Sequence, residues 1–145
     1  MGLSALSTKD NICFKFLSNA LNRCLASHVP CSEERPVKWI PTRLLDVQPS
    51  LKNHDTVRLV ERESLINSKS DDPIQYLTLS HKWGQKSFLN LTESNKEKMK
   101  VSISVETLPP CFQDAVFATR QLGYRYIWID SLWYAPLRYT PEYDR

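Results

Sequence analysis

Two apolar runs that each end abruptly in polar residues constrain this chain most. Residues 76–84 read YLTLSHKWG, and residues 122–132 read LGYRYIWIDSL. Such runs are typical of buried strands whose carboxyl ends open onto a sheet edge. Between them, residues 108–116 read LPPCFQDAV and predict the start of an amphipathic helix. This order predicts a βαβ unit with a right-handed crossover, so both strands end at the same side of one sheet.

The predicted sheet edge gathers four polar side chains. Ser80 and His81 follow the first run, and Asp130 and Ser131 follow the second. A His and an Asp that converge there can form a proton-transfer pair or bind a ribose. The alternative is structural, with Asp130 capping a following element and His81 bonded to a backbone carbonyl. A Ser–His–Asp hydrolase is not supported, because the chain has no Gly-x-Ser-x-Gly elbow and only three glycines.

The N-terminal part predicts a helix and a strand pair. Residues 8–27 predict the helix, with Ser7 or Thr8 as its N-cap. Its apolar face comprises Ile12, Phe16, Leu17, Ala20, Leu21, Cys24 and Leu25. Residues 43–47 and 57–61 are strand-like runs separated by a turn-rich spacer. They predict an antiparallel pair.

Helix-capping residues, prolines and a glycine predict the elements between residues 63 and 123. We interpret residues 63–73 as a polar surface loop, and residues 92–100 as a short charged helix whose capping box is Ser94 and Glu97. The main helix begins at the Pro109–Pro110 pair, and Gly123 is suited to a left-handed C-terminal cap. The inner face of this helix comprises Phe112, Ala115, Val116, Thr119 and Leu122.

A Cys/His set near the N-terminus raises the question of metal binding. Cys24, His28 and Cys31 lie close in sequence, with Cys13 or His54 as a fourth partner. Tetrahedral zinc uses such ligands. However, no C-x-x-C pair is present, and Cys24 falls on the apolar helix face, which favours a buried thiol. We therefore assign no metal and keep a zinc-binding module as an alternative.

Charge and composition exclude several classes of function. The net charge is only +3, and Glu93 and Glu97 interleave with Lys96, Lys98 and Lys100, which is typical of a solvated helix face and not of a phosphate-binding patch. The sequence has neither a phosphate-binding loop nor a Gly-x-Gly-x-x-Gly motif. We expect no nucleic acid and no membrane among its partners.

The expected cellular location follows from the lack of apolar targeting segments in the sequence. No run is long and apolar enough for a signal peptide or a membrane span. We expect a cytoplasmic protein whose four cysteines stay reduced.

The three sequence blocks resemble the fungal heterokaryon-incompatibility (HET) domain. That family typically reads Tyr-x-x-Leu-Ser-(His/Tyr)-x-Trp-Gly, then Leu-Pro-x-x-(Phe/Tyr)-x-Asp-Ala, then Leu-Gly-x-x-Tyr-x-Trp-Ile-Asp-Ser-Leu-Cys-Ile-x-Gln. Residues 76–132 match this pattern in order and spacing, and residues 41–47 resemble a segment found upstream in many members. The matching family-motif residues are Ser80, Trp83, Gly84, Asp114, Trp128, Asp130 and Ser131.

The match stops at Leu132, because residues 133–136 read WYAP where the family has Cys-Ile-x-Gln. The resemblance therefore implies a protein truncated within the domain. We divide the chain into an N-terminal helical segment (1–40), a strand pair and loop (41–73), the N-terminal half of a HET domain (74–132) and a divergent tail (133–145). The implied fold is α/β, an incomplete TIR-like or flavodoxin-like parallel sheet joined to the N-terminal helix and the antiparallel pair.

The resemblance also implies a function. HET proteins act in fungal non-self recognition that leads to programmed cell death, so we expect a signalling fragment without catalytic activity or cofactor, with other HET-domain proteins as partners. The alternative is a TIR-like NAD hydrolase that uses His81 and Asp130. A sheet that stops after its second core strand leaves an unpaired edge, so we also expect residues 126–129 to be exposed there and the chain to be marginally stable.

Overall fold

The computed structural model describes residues 7–28, 40–49, 54–67, 74–81 and 91–130. The elements are α1 (Asn11–Ser27), β1 (Arg43–Asp46), β2 (Thr56–Glu61), α2 (Arg62–Ile66), β3 (Tyr76–Leu79), α3 (Glu93–Val101), β4 (Ile103–Ser104), a 3-10 turn (Val105–Thr107), α4 (Pro110–Gln121) and β5 (Tyr126–Ile129).

The strands form one five-stranded mixed sheet in the order β3-β5-β1-β2-β4. β3 and β5 are parallel and pair from Tyr76 with Tyr126 to Leu79 with Ile129. The predicted α/β class and the parallel strand pair around α4 are thus confirmed. Among the described strands, this is the one parallel pairing, because β1, β2 and β4 join the sheet in antiparallel fashion.

The N-terminal strand pair is confirmed, but its place in the sheet was not foreseen. β1 and β2 pair antiparallel from Arg43 with Glu61 to Asp46 with Arg58. The other edge of β1 pairs with β5, where Leu45 lies opposite Ile127. The prediction of an unpaired edge at residues 126–129 is therefore wrong. A strand with both faces buried is most stable when both of its edges are paired, and β1 occupies the edge of β5 that β3 leaves open.

The main core lies between the sheet and α4. Ile127 and Ile129 of β5 face Phe112 and Val116 of α4, and all four are at most 3% exposed. Thr119, one turn further on, is also buried and donates a hydrogen bond to the Ala115 carbonyl. The predicted inner face of the helix is therefore confirmed at these positions, and Gly123 beyond its end has the predicted left-handed conformation (φ +80°).

The opposite face of the sheet carries a smaller apolar cluster. Leu44 of β1 and Leu65 of α2 are buried in it together with Ile40. Tyr126 and Trp128 pack beside them and are half-buried. Alternation along β5 thus sends its isoleucines toward α4 and its aromatic residues to the other side.

α1 packs on the outer side of α4. The buried ring of Phe14 contacts Phe117 edge-to-face, with 5.6 Å between the ring centroids. The helix begins at Asn11 and is capped by Asp10, so the predicted Ser7 or Thr8 cap is wrong. The predicted apolar face is also only partly correct. Phe16 is 71% exposed and Leu17 is 48% exposed, because Phe14 makes the contact with α4.

Two local predictions around β2 need correction. Residues 62–66 form α2 and not a loop, while residues 68–73 lie outside the described part. The capping box of α3 consists of Thr92 and Asn95, and not of Ser94 and Glu97. Thr92 precedes the first helical residue, and its hydroxyl accepts a hydrogen bond from the Asn95 backbone N–H.

The lysines of α3 hold the helix on β2. The carboxylate of Glu61 lies 2.8 Å from Nζ of Lys96 and 2.8 Å from Nζ of Lys100. These two ammonium groups lower the pKa of Glu61 to about 2. Two of the three clustered lysines are thus engaged with the protein itself.

None of the helices in the described part of the chain is both long enough and apolar enough to span a membrane.

Candidate functional site

The ends of β3 and β5 bring together two of the residues predicted at the sheet edge. His81 follows β3 after one intervening residue, and Asp130 follows β5 directly. Nδ1 of His81 lies 3.3 Å from Oδ1 of Asp130. This distance is slightly longer than that of a typical N–H···O hydrogen bond. The parallel register that aligns the two strand ends produces this His–Asp pair.

The imidazole of His81 is packed against the core. Its ring meets Phe112 of α4 edge-to-face, with 5.0 Å between the ring centroids. The side chain is only 9% exposed, whereas that of Asp130 is 35% exposed. Neither ring nitrogen of His81 is accessible to solvent. The pair therefore presents a carboxylate to solvent and keeps its imidazole inside.

A carboxylate beside Nδ1 of a histidine can have a catalytic or a structural role. In catalytic pairs it fixes the tautomer and orientation of the imidazole, and the other ring nitrogen exchanges a proton with substrate. In structural pairs it holds the ends of two strands together. The burial of both ring nitrogens favours the second role in this conformation, because general base catalysis requires access to a substrate proton.

The remaining family-motif residues are spread over the fold. Ser80 is exposed at the end of β3. Oδ1 of Asp114 lies 2.7 Å from Nζ of Lys9, and both side chains are exposed on the outer side of α4. Trp128 packs on the sheet face that lies opposite α4. Trp83, Gly84 and Ser131 lie outside the described residues.

Two members of the predicted Cys/His set are neighbours at the end of α1. Sγ of Cys24 lies 3.3 Å from Nδ1 of His28, one helical turn away. Cys31 lies outside the described residues, so the structure does not test the alternative of a zinc site formed by these three side chains. Within the described ranges, no group of three or more His, Cys, Asp or Glu side chains is arranged to hold a metal ion.

Asp46, Arg58 and Arg125 form a second polar cluster, which was not predicted from the sequence. Asp46 is fully buried, and both guanidinium groups bind its carboxylate. The three residues come from β1, β2 and the turn before β5. The only local signal was an Asp at the end of the apolar run RLLD, because the arginines are distant in sequence.

Comparison with known proteins supports the resemblance at the two strands and the helix between them. The family model described as "Heterokaryon incompatibility protein (HET)" matches residues 76–133. The comparisons with curated proteins and with solved structures gave no match. The matched segment contains β3, α4 and β5, and hence the His81–Asp130 pair. The chain is therefore similar to the heterokaryon-incompatibility (HET) family over residues 76–133, which is less than half of its 145 residues.

Proposed function

We propose that this chain is a signalling module of heterokaryon incompatibility, the fungal response to a non-self partner that ends in programmed cell death, and that it acts by binding other proteins and not by catalysis. A cytoplasmic location and HET-domain proteins as partners belong to the same proposal. The family match over residues 76–133 supports the biological role.

The observation that supports a non-catalytic role is the packing of His81. Its ring is held between Phe112 and Asp130, and neither of its nitrogens reaches solvent. A side chain held in this way stabilises the junction of β3, β5 and α4. Ser80 is exposed at the same rim, where a partner protein can contact it.

The geometry of the same pair supports a second candidate, a TIR-like NAD hydrolase. The 3.3 Å separation of Nδ1 and Oδ1 is slightly long for proton transfer, but catalytic hydrogen bonds often tighten only when substrate binds. In that case the rim opens when NAD binds, His81 exchanges a proton and Asp130 orients the imidazole.

An assay of the purified full chain separates the two candidates. The chain is incubated with NAD, and the release of nicotinamide is measured by chromatography. The signalling module is expected to release no more nicotinamide than its Asp130→Asn and His81→Gln variants. Release by the wild type that both variants lose would overturn the non-catalytic proposal. Glu106→Gln serves as the matched control, because it removes an exposed carboxylate that is not a family-motif residue.

The signalling role requires a cellular assay. The chain is expressed from an inducible promoter in a fungal host, alone and together with a complete HET-domain protein, and growth and membrane integrity are recorded. We expect co-expression to change the onset of cell death and the two proteins to co-purify. Unchanged growth together with no co-purification would contradict the proposal.

A further inference from the structure

The Asp46 cluster is built around one fully buried carboxylate. Arg58 donates from Nε and Nη2 to Oδ2 of Asp46, each over 3.2 Å. Arg125 donates from Nε to Oδ1 over 3.1 Å and from Nη2 to Oδ2 over 3.0 Å. The backbone N–H of Gln48 is the second donor to Oδ1, over 3.1 Å. Asp46 therefore fixes the position and orientation of two guanidinium planes.

The cluster carries more positive charge than it needs for internal neutrality. One arginine would balance Asp46, so the second leaves an excess of one positive charge. The side chains of Arg58 and Arg125 are 39% and 49% exposed, which gives solvent access to this charge. The Nη1 group of each arginine makes no hydrogen bond to any residue in the described part of the chain. The two groups retain donors in a fixed arrangement.

The cluster is separate from the His81–Asp130 pair. Asp46 ends β1 and lies opposite Tyr126, the first residue of β5, whereas Asp130 follows the last residue of that strand. The cluster thus lies toward the amino end of β5. Cζ of Arg125 lies 5.4 Å from the centroid of the Tyr126 ring, a cation–π contact that further restrains the guanidinium group.

We propose that Arg58 and Arg125, oriented by the buried Asp46, form a binding site for an oxyanion, which is the phosphate or carboxylate group of a ligand. Guanidinium groups match the geometry of both anions and bind them through paired charge-assisted hydrogen bonds. Because Asp46 already holds the arginines in place, little side-chain freedom is lost when an anion binds. The site goes beyond the proposed signalling role and does not depend on it.

The test is a nuclear magnetic resonance titration of the full chain labelled with nitrogen-15. The Nε–Hε signals of Arg58 and Arg125 are followed during addition of sodium phosphate, and separately of sodium acetate, at constant ionic strength set with sodium chloride. We expect saturable shifts of both signals with at least one of the two anions. Saturation with phosphate alone identifies a phosphate-bearing ligand, and saturation with acetate alone identifies a carboxylate.

Variants test the roles of the three residues. Arg125→Gln is expected to weaken binding by about tenfold, because one charged donor pair is lost. Asp46→Asn is expected to weaken binding, because the carboxylate that orients both guanidinium groups is lost. Arg23→Gln, which removes an exposed arginine of α1, is expected to leave binding unchanged.

The wild-type titration decides the proposal even where a variant fails to fold. Shifts that stay linear with both anions, as expected for ionic strength alone, would overturn it. An equal loss of binding in Arg23→Gln would also overturn it, because the response would then reflect overall charge.

Discussion

Nε of Arg120 lies 2.7 Å from the carbonyl oxygen of Val47, a contact between two residues that are 73 positions apart in sequence. The same guanidinium group donates from Nη1 to the His54 carbonyl and from Nη2 to the Thr56 carbonyl, over 2.7 and 3.1 Å. One side chain of α4 thus satisfies three carbonyls on either side of the β1–β2 connection. Partial burial of the guanidinium group lowers the pKa of Arg120.

We therefore expect Arg120→Gln to lower the free energy of unfolding by about 2 kcal/mol, because hydrogen bonds from a charged donor are lost and carbonyls are left without a partner. Urea unfolding followed by tryptophan fluorescence measures the change. Arg23→Gln is the matched control, and a change within about 0.5 kcal/mol is expected for this exposed residue. Equal effects of the two variants would contradict the role assigned to Arg120.

Glu61 makes stability depend on pH in the acid range. Its pKa is about 2 in the folded chain, against a usual value of 4.5, because Lys96 and Lys100 bind the carboxylate. Between these values the folded state binds fewer protons than the unfolded state, so stability is present above about pH 4.5 and is lost as the pH falls toward 2.

Wild type should have a higher free energy of unfolding than Glu61→Gln at about pH 5. This difference should shrink as the pH falls to 2, over roughly the range set by the two pKa values. Urea titrations of both proteins across this range measure it, and carboxylates common to both cancel in the difference. Added salt should reduce the advantage, because the three side chains are partly exposed. An advantage that is independent of pH would refute this account of Glu61.

Phe112 is the residue that joins the His81–Asp130 pair to the core. It is fully buried, and its ring contacts His81. Phe112→Ala leaves a cavity and should cost about 3–5 kcal/mol, together with a change in the imidazole signals of His81 in nuclear magnetic resonance spectra. Phe16→Ala is a matched control, since Phe16 is 71% exposed. A Phe112 variant as stable as the Phe16 variant would be inconsistent with the described core.

Gly123 is held in a left-handed conformation at the end of α4. Its φ is +80°, and a methyl group at this position would meet no atom within 4 Å. Gly123→Ala should therefore cost about 1 kcal/mol from backbone strain alone. Gly123→Asn should cost less, because asparagine adopts this conformation more readily. Thermal unfolding of the two variants tests the ranking, and a stabilising effect of alanine would exclude strain.

Local patterns accounted for much of the fold. The apolar runs at residues 76–79 and 126–129 and the helix between them appear as β3, β5 and α4, and their order led to the parallel pair. The His81–Asp130 pair follows from that register, because it depends only on where two adjacent strands end. The antiparallel pairing of β1 with β2 could also be predicted, because a turn-rich segment separates two short strand-like runs.

Contacts between segments that are distant in sequence could not be predicted from local patterns. No local pattern shows that β1 occupies the second edge of β5, since this choice depends on which edges remain open once the other strands have paired. The Asp46 cluster depends on that pairing as well. On α1, the apolar residues cover a wide arc of the helix, and only the position of Phe117 on α4 determines that Phe14 is buried and Phe16 is not.

The central place of β5 has a consequence for the order of events during synthesis. It pairs with β1 at Tyr126 and Ile127 and with β3 along all four of its residues, so it connects the N-terminal strands to the parallel pair. Until Ile129 has emerged from the ribosome, the edges of β1 and β3 that later pair with β5 stay open. The sheet must therefore close late, by contacts that span some eighty residues of chain, which is the slow kind of folding step. Until then, the open edges are the surfaces that chaperones or other strands can bind.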